Sequence, residues 1–406
     1  MIAPTSETRS SIGFVATDTS AASPRPARIL RLRTMVHVGT RMMFHDKLKL
    51  AGTLFGVIFS VMLVNQQLGV FLGLLSKNTM FIENAGADLW IVPGSTETLQ
   101  AGKPVPMAAL YQARTTPGVA WAEPLLFGGA TVSLPSGGSE PVTLVGTKAP
   151  SWRGGPWNLV AGSVEALRQP DTMIFEDSER DKLGGLNLGS VREVNHHRTV
   201  VGGFTWGLLP FAPSYSFADY DYARLLLNTP SDEASFVLIG VEPGADYAAV
   251  ARAVKERVPS LEVLSASQFR NRVLRYLLVQ TGIGTTTGMS ATFGLLIGLI
   301  IVSLSMFSSV IDNIREFGTL KAIGCRNGDL ALMLLVQSTV YGLLGSVIGL
   351  RLVTLMADGM RSPQMALLLP WQAFAATPVL MTLLCGLASL LALMRIRKVE
   401  PGMVFR

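Results

Sequence analysis

Two long uncharged runs, separated by a short charged segment, constrain this chain more than any other feature of its sequence. Residues 276–311 and 330–350 contain no Asp, Glu, Lys or Arg. Each run meets the requirement of roughly 20 apolar residues for a helix that crosses a bilayer. The intervening segment, 312–329, is charged. We therefore expect two membrane helices joined by a connector at the membrane surface.

The composition extends this interpretation to the whole chain. Charged residues make up 15% of the 406 residues and the mean hydropathy is +0.40, whereas soluble domains carry about 25% charge. Apolar stretches long enough to span a membrane occur at 50–75, 288–311, 330–350 and 372–394. The sequence therefore predicts an integral membrane protein with four transmembrane helices and one large insert between the first two.

The charge distribution predicts the orientation of these helices. The net charge is +6, with basic residues concentrated before the first span and after the last, whereas the insert is slightly acidic. Under the positive-inside rule both termini are then cytoplasmic and the insert is extracytoplasmic. Orientation and contact with anionic membrane lipids account for the basic excess, so no nucleic-acid partner is predicted.

On this interpretation the chain divides into consecutive segments. They are a disordered cytoplasmic tail (1–26), a basic interfacial helix (27–49), the first span (50–75), an extracytoplasmic domain (76–275), a stalk with the second span (276–311), the connector (312–329), the third span (330–351), a short outer loop (352–371), the fourth span (372–394) and a cytoplasmic C-terminus (395–406). For 27–49, a basic flank without regular structure is the alternative.

The insert combines strand and helix patterns. Strands are predicted at 87–92, 142–145, 173–175, 199–204 and 236–241, and helices at 106–115, 246–258 and 266–280, the last continuing into the second span. This mixture predicts an α+β domain attached to the membrane at both ends. Neither Cys325 nor Cys385 lies in the insert, so no structural disulfide is expected.

Polar and small residues inside the spans suggest helix packing. The amides at 65–67 could hydrogen-bond to other helices or contact a substrate, and packing is the favoured interpretation. Gly294 with Gly298, and Gly345 with Gly349, have the spacing that lets helices approach closely. This spacing is compatible with a homodimer or with a tight bundle.

Three tryptophans of the insert lie in segments rich in glycine and proline. For Trp152, Trp157 and Trp206, core packing is favoured over contact with lipid or a partner.

Motifs of catalysis and nucleotide binding are missing from the sequence. It has no GxxxxGK[ST], HExxH or GxSxG. The adjacent His196 and His197 are not expected to form a metal site, because two neighbouring histidines do not complete one. We therefore predict no catalytic residues, no metal and no cofactor bound by this chain.

The connector has an amphipathic pattern. Ile314, Phe317, Leu320 and Ile323 recur every three residues between charged positions. This pattern predicts a short helix with one apolar side, but it does not decide whether the helix only rests on lipid or also meets a soluble partner.

Several segments resemble one family. REFGTLKAIG (315–324) resembles the signature of FtsX/MacB-type ABC transporter permeases, and GADLWIVPGS (86–95), VVGGFTWG (200–207) and VEPGMVFR (399–406) resemble its DevC-like branch. The order of one span, a large outer domain and three spans is also similar to that family. The resemblance implies a MacB-like periplasmic core domain in the insert, and a multi-pass protein of the inner (cytoplasmic) membrane.

The resemblance also implies a function. It implies a non-catalytic permease subunit that forms a homodimer, binds a separate ABC ATP-binding subunit, and works with a periplasmic adaptor (membrane fusion) protein and an outer-membrane duct. The connector would be the coupling helix, with Arg315, Glu316, Phe317, Leu320 and Lys321 as its contacts to the ATPase. The expected activity is export of a lipid-like or hydrophobic substrate. The alternatives are a permease that transports nothing and uses ATP to regulate an outer enzyme or sensor, and a standalone receptor.

Overall fold

The computed structural model describes residues 37, 39–41, 43–44, 47–99, 103–209, 213–312, 314–359 and 368–396. The expectations for the tail (1–26), for much of 27–49, for the middle of the outer loop (352–371) and for nearly all of 395–406 lie outside the described residues.

A single long helix carries the chain from the membrane into the outer domain. Helix α1 (Lys47–Asn84) has 38 residues, which corresponds to about 57 Å. The predicted first span occupies its first two thirds. Its last turns are buried in the outer domain, where the Phe81 ring centroid lies 5.3 Å from that of Phe127 and 5.5 Å from that of Tyr215. The helix is therefore part of both the membrane bundle and the domain core.

The outer domain is built on one large sheet. Strands β2 (Val105–Pro106) and β10 (Glu233–Ala234) form a separate pair. The strands of the large sheet are β1 (Leu89–Pro93), β3 (Val119–Leu134), β4 (Gly138–Thr147), β5 (Leu159–Gly162), β6 (Thr172–Glu176), β7 (Val191–Val194), β8 (His197–Thr205), β9 (Tyr215–Asp219), β11 (Phe236–Val241) and β12 (Leu261–Ser265). The order is β12-β1-β11-β3-β4-β9-β6-β8-β5. The 16-residue strand β3 belongs to both halves, pairing with β11 near its start and with β4 near its end.

In the first half, helices cover both faces of the sheet. Leu89 and Ile91 of β1 pack with helices α2 (Met107–Arg114) and α4 (Tyr247–Arg257). Trp90 and Val92, which point to the opposite face because side chains alternate along a strand, share a core with the end of α1 and with a later helix, α5 (Ala266–Val279). These two layers confirm the predicted α+β domain.

The second half closes into a ring of strands. Strand β7 pairs with both β8 and β3, which completes the circuit β3-β4-β9-β6-β8-β7. Helix α3 (Tyr220–Leu226) packs against β4, and its Ala223 and Leu226 belong to the same apolar cluster as the strands. The interior is apolar and includes Leu126, Val132, Leu144, Met173, Phe175, Val194, Val201 and Phe204. The ring is here called the barrel, and its core is buried among its own strands and α3.

The return to the membrane is interrupted. Helix α5 ends at Val279 and helix α6 begins at Ile283 and ends at Asp312. Between them Gly282 has φ +74°, a left-handed conformation that favours glycine. The helix predicted to run from 266 into the second span is thus two helices with a break at 280–282.

The remaining helices complete the membrane bundle. They are α7 (Ile314–Ala322), α8 (Asn327–Gly359) and α9 (Trp371–Ile396). With α1 and α6, the helices α8 and α9 are the four that are long and apolar enough to cross a membrane in the described part of the chain. This confirms the four predicted spans, although α1 and α8 extend well beyond the predicted 50–75 and 330–351.

Glycines allow α6 and α8 to pack closely on α1. A Cβ atom at Gly298 would lie 2.1 Å from Ser60 Oγ, and one at Gly345 would lie 2.4 Å from Val57 Cγ1. Gly294 and Gly349 of the same two pairs also face α1. The structure thus places both glycine pairs in contacts within one chain, and the homodimer stays a prediction.

A polar contact joins α1 to α9 inside the bundle. Asn65 is fully buried, donates to the Val61 carbonyl at 2.8 Å and accepts from Thr377 Oγ1 at 3.0 Å. The neighbouring Gln66 is exposed. Of the three amides at 65–67, Asn65 therefore connects helices, because its unpaired burial would be costly.

Candidate functional site

The connector folds as a short helix with a defined end. In α7, the amide of Gly324 donates to the Lys321 carbonyl (3.0 Å) and that of Cys325 to the Leu320 carbonyl (2.9 Å). Gly324 has φ +103°. These two bonds, with a left-handed glycine just past the helix, form a Schellman motif, which satisfies the last carbonyls of a helix.

The next helix starts directly after this turn. The Arg326 amide donates to Asp329 Oδ2 at 2.9 Å, so that an acidic side chain satisfies the first exposed donor of α8. A carboxylate is also favourable at the positive end of the helix dipole. The corner between α7 and α8 is therefore held on both sides, by Gly324 and by Asp329.

One side of α7 is open to solvent. Arg315, Glu316 and Thr319 are exposed, and Ile323 at the end of the helix is 83% exposed. Lys321 is half-buried, and the side chain of Phe317 is outside the described set. We call Arg315, Glu316, Thr319 and Ile323 the open face. It combines charge with one large apolar side chain.

Leu320 points the other way. It packs on the membrane core that contains Leu330, Met333 and Leu334. Of the residues predicted to contact an ATPase, the structure therefore places Arg315 and Glu316 on the open face and Leu320 against the bundle. Ile323 was named in the amphipathic pattern but not among the predicted contacts. The signal that could have identified it is Gly324, because a helix that ends there leaves the side chain before it beyond the last packed turn.

Part of the chain before the first span is bound to the same membrane core. Met43 is buried in it, and Gln337 Nε2 of α8 donates to the Gly39 carbonyl at 2.9 Å. A Cβ at Gly39 would lie 3.5 Å from the Met333 carbonyl oxygen. Gly39 and Met43 thus pack on the bundle at the same end as α7.

The described residues hold no group of three or more side chains suited to a metal. His196 is 95% exposed, and its Nδ1 lies 3.2 Å from the Glu193 carboxylate.

The tryptophans predicted to pack in the core differ from one another. Trp152 and Trp157 pack in the domain core, whereas Trp206 is 44% exposed.

Two family models match this chain. A MacB-like periplasmic core domain matches residues 50–257 and an FtsX-like permease C-terminal region matches residues 288–401. The first model alone covers more than half of the chain and includes the first span.

Sequence relatives agree with these models. An uncharacterized ABC transporter permease of Methanocaldococcus jannaschii is 29% identical over 130 residues, which is 30% of this chain and 32% of the relative. This chain thus matches about a third of that relative's length. An uncharacterized ABC transporter permease of Mycobacterium tuberculosis is 24% identical over 353 residues, which is 86% of this chain and 93% of the relative.

Solved structures resemble the outer domain. The extracellular domain of the noncanonic ABC-type transporter YknZ from Gram-positive bacteria is 13% identical, with a TM-score of 0.34, and the match covers 44% of this chain and 99% of that one. The periplasmic region of MacB from Actinobacillus actinomycetemcomitans is 9% identical, with a TM-score of 0.36, and the match covers 47% and 94%.

Proposed function

This chain belongs to the family of ABC transporter permeases of the MacB and FtsX type, and we propose that it couples ATP hydrolysis by a separate ATP-binding subunit to movement of its outer domain. The observation that carries the proposal is the open face of α7, since it presents Arg315, Glu316 and Ile323 outward from the end of the membrane bundle. Membership of the DevC-like branch stays a prediction from the motifs.

Coupling requires two kinds of contact, and α7 offers both. The open face would bind the ATP-binding subunit, with Ile323 as an apolar anchor and Arg315 and Glu316 as polar contacts. Leu320 would hold α7 on the bundle, because it packs on the membrane core. A push on α7 would then move the bundle instead of only displacing a loose segment.

One small void among the described membrane helices is compatible with motion of the outer domain and gives a substrate no room at that place. A cavity among Val57, Ser60, Gly298 and Cys385 holds only about 10 Å³, which is the space of a single water. We therefore propose export of a lipid-like or hydrophobic substrate at the outer side. The proposed assembly is a homodimer in the inner membrane, with cytoplasmic termini, a periplasmic adaptor and an outer-membrane duct.

The same cavity is compatible with a permease that moves nothing and regulates an outer enzyme or sensor. The partners distinguish the two functions. Purification of the intact complex in mild detergent would recover an adaptor protein if the chain exports, and an outer hydrolase or sensor kinase if it regulates.

The open face is tested by Ile323→Asp. We expect at least a tenfold loss of co-purified ATP-binding subunit, because a buried carboxylate would replace an apolar contact. Val160→Asp is the matched control. It also replaces an exposed apolar side chain by a carboxylate, but Val160, which is 54% exposed, lies on the outer domain and away from the ATPase.

Equal recovery of the ATP-binding subunit from wild type and Ile323→Asp would remove Ile323 from the interface. Leu320→Asp is expected to differ from both variants, because it lowers the thermal stability of the purified chain by introducing a charge next to the membrane core.

A further inference from the structure

A fully buried carboxylate ends strand β6 of the barrel. Glu176, the last residue of β6, has no exposed surface. Its Oε1 accepts from the Gly207 amide at 2.6 Å and from Ser178 Oγ at 3.1 Å. Its Oε2 accepts from the Leu208 amide at 3.1 Å and from Thr205 Oγ1 at 3.0 Å. One carboxylate thus determines the shape of the loop 205–208.

The other side of this loop is bound to α1. Lys77 Nζ donates to the Gly207 carbonyl at 2.5 Å. The Gly207 peptide is therefore held at its amide by Glu176 and at its carbonyl by Lys77. The positive and negative side chains also attract one another across it. The loop is fixed further at Trp206, whose amide donates to the Asn158 carbonyl at 3.0 Å.

Lys77 adds a polar contact to the apolar contacts that α1 makes with the core of the outer domain. Among these, the Phe81 ring packs on Tyr215 of β9, and Leu75 and Ile82 pack on the same core. Lys77 lies one helical turn closer to the membrane, about 6 Å along the axis. Apolar packing is non-directional, whereas a hydrogen bond restrains the direction between its two partners. The other membrane attachment contains the break at Gly282 and is less suited to transmit a tilt.

We infer that Lys77 and Glu176 form a polar joint through which a tilt of α1 is passed to the loop 205–208 and the barrel. The inference rests on the proposed function, since it names the positioning residues on the outer side of the coupling path. A merely structural loop could be held by apolar side chains at equal or greater stability, because burial of ionised groups is costly. The polar joint instead gives a directional contact between two elements that are far apart in sequence.

The joint is tested in the full chain in lipid nanodiscs, without any ATPase. Spin labels on Ser76→Cys and Trp206→Cys, with Cys325→Ser and Cys385→Ala, report the distance between α1 and the loop. We expect Lys77→Met to broaden this distance distribution at least twofold and Lys77→Arg to retain the wild-type width. An unchanged width in Lys77→Met would overturn the joint.

Labels on Ser76→Cys and Tyr111→Cys serve as a control pair. The width of their distance distribution should be the same in all variants, because Tyr111 lies in the first half of the domain. Broadening of both pairs would show general loosening and would likewise overturn the assignment. Lys77 is used because it is half-buried, whereas replacement of the fully buried Glu176 also changes the stability of the folded domain.

The transmission step is tested in the complex with the co-purified ATP-binding subunit. Addition of ATP and vanadate is expected to change the mobility of a label at Trp206→Cys in wild type and Lys77→Arg, but not in Lys77→Met, while the ATPase rate stays unchanged. A mobility change that persists in Lys77→Met would refute transmission through the joint. Failure to recover any ATP-binding subunit would contradict the proposed function and leave the nanodisc result standing.

Discussion

At the scale of single residues, Glu176 shows how burial and hydrogen bonding oppose one another. Burial raises the pKa of this carboxyl, because the charged form loses its water, and the donors from Gly207, Leu208, Thr205 and Ser178 lower it. Burial is the larger effect, so the pKa is raised overall. The native state therefore holds the Glu176 proton more tightly than the unfolded chain does.

This difference predicts a dependence of stability on pH. The contribution of Glu176 is largest below the ordinary pKa of a glutamate, about 4.3, and is lost as the pH rises through the raised native value. Each unit of difference corresponds to about 1.4 kcal/mol. Thermal unfolding in detergent should show that the stability of wild type relative to Glu176→Gln increases from neutral to acidic pH. If this stability difference instead increased from acidic to neutral pH, the four hydrogen-bond donors would affect the pKa of Glu176 more than its burial does.

At the scale of elements, α7 depends on the way it ends. The Schellman motif at Gly324 closes the helix and directs the chain into α8. Because the corner is closed, the open face of α7 keeps a defined orientation relative to the membrane core on which Leu320 packs. An element of nine residues would be marginal by itself, so its stability comes from this corner and from packing.

Gly324→Ala should therefore weaken α7. A Cβ at φ +103° is strained, and the cost is about 1–2 kcal/mol. We expect faster hydrogen exchange across Ile314–Ala322 and a lower ATPase rate in the assembled complex. Gly328→Ala is the control, since a Cβ there meets nothing within 4 Å and its backbone is helical. Equal exchange rates in the two variants would show that the Gly324 conformation is unimportant.

At the scale of the whole molecule, α1 connects the two ends that the proposed function requires. It is continuous from Lys47 to Asn84, contributes Val57 and Val61 to the membrane core and buries Phe81 in the outer domain. The second connection is broken at 280–282 between α5 and α6. Under the proposed function, a displacement of the bundle would reach the sheet mainly through α1.

This arrangement requires that α7 and the barrel lie on opposite sides of the membrane. In a chain with Cys325→Ser and Cys385→Ala, a membrane-impermeant maleimide should label Leu188→Cys in intact spheroplasts and Ile323→Cys only after permeabilisation. Both side chains are exposed, Leu188 by 54% and Ile323 by 83%. Whether the reagent reaches them therefore depends on the side of the membrane on which each residue lies. Labelling of both in intact spheroplasts would contradict the proposed orientation.

Local patterns in the sequence predicted much of this architecture. The four spans were recognisable because each is long, apolar and almost free of charge. Strands such as Phe236–Val241 were predicted because they are short apolar runs rich in β-branched residues. Helices such as Tyr247–Arg257 were predicted because Pro259 ends their pattern. These signals are contained in stretches of six to twenty residues.

Contacts distant in sequence decided the rest. The 16-residue strand β3 was not predicted, because its course through two half-sheets depends on partners as far apart as β11 and β4. The joint of Lys77, Gly207 and Glu176 brings together residues separated by up to 130 positions, and no local pattern marks them. The division into membrane segments and domain segments follows from local composition, because water and lipid act on each segment directly. The burial of particular charges and the pairing of helices follow from the folded arrangement, because they depend on what distant parts of the chain place beside them.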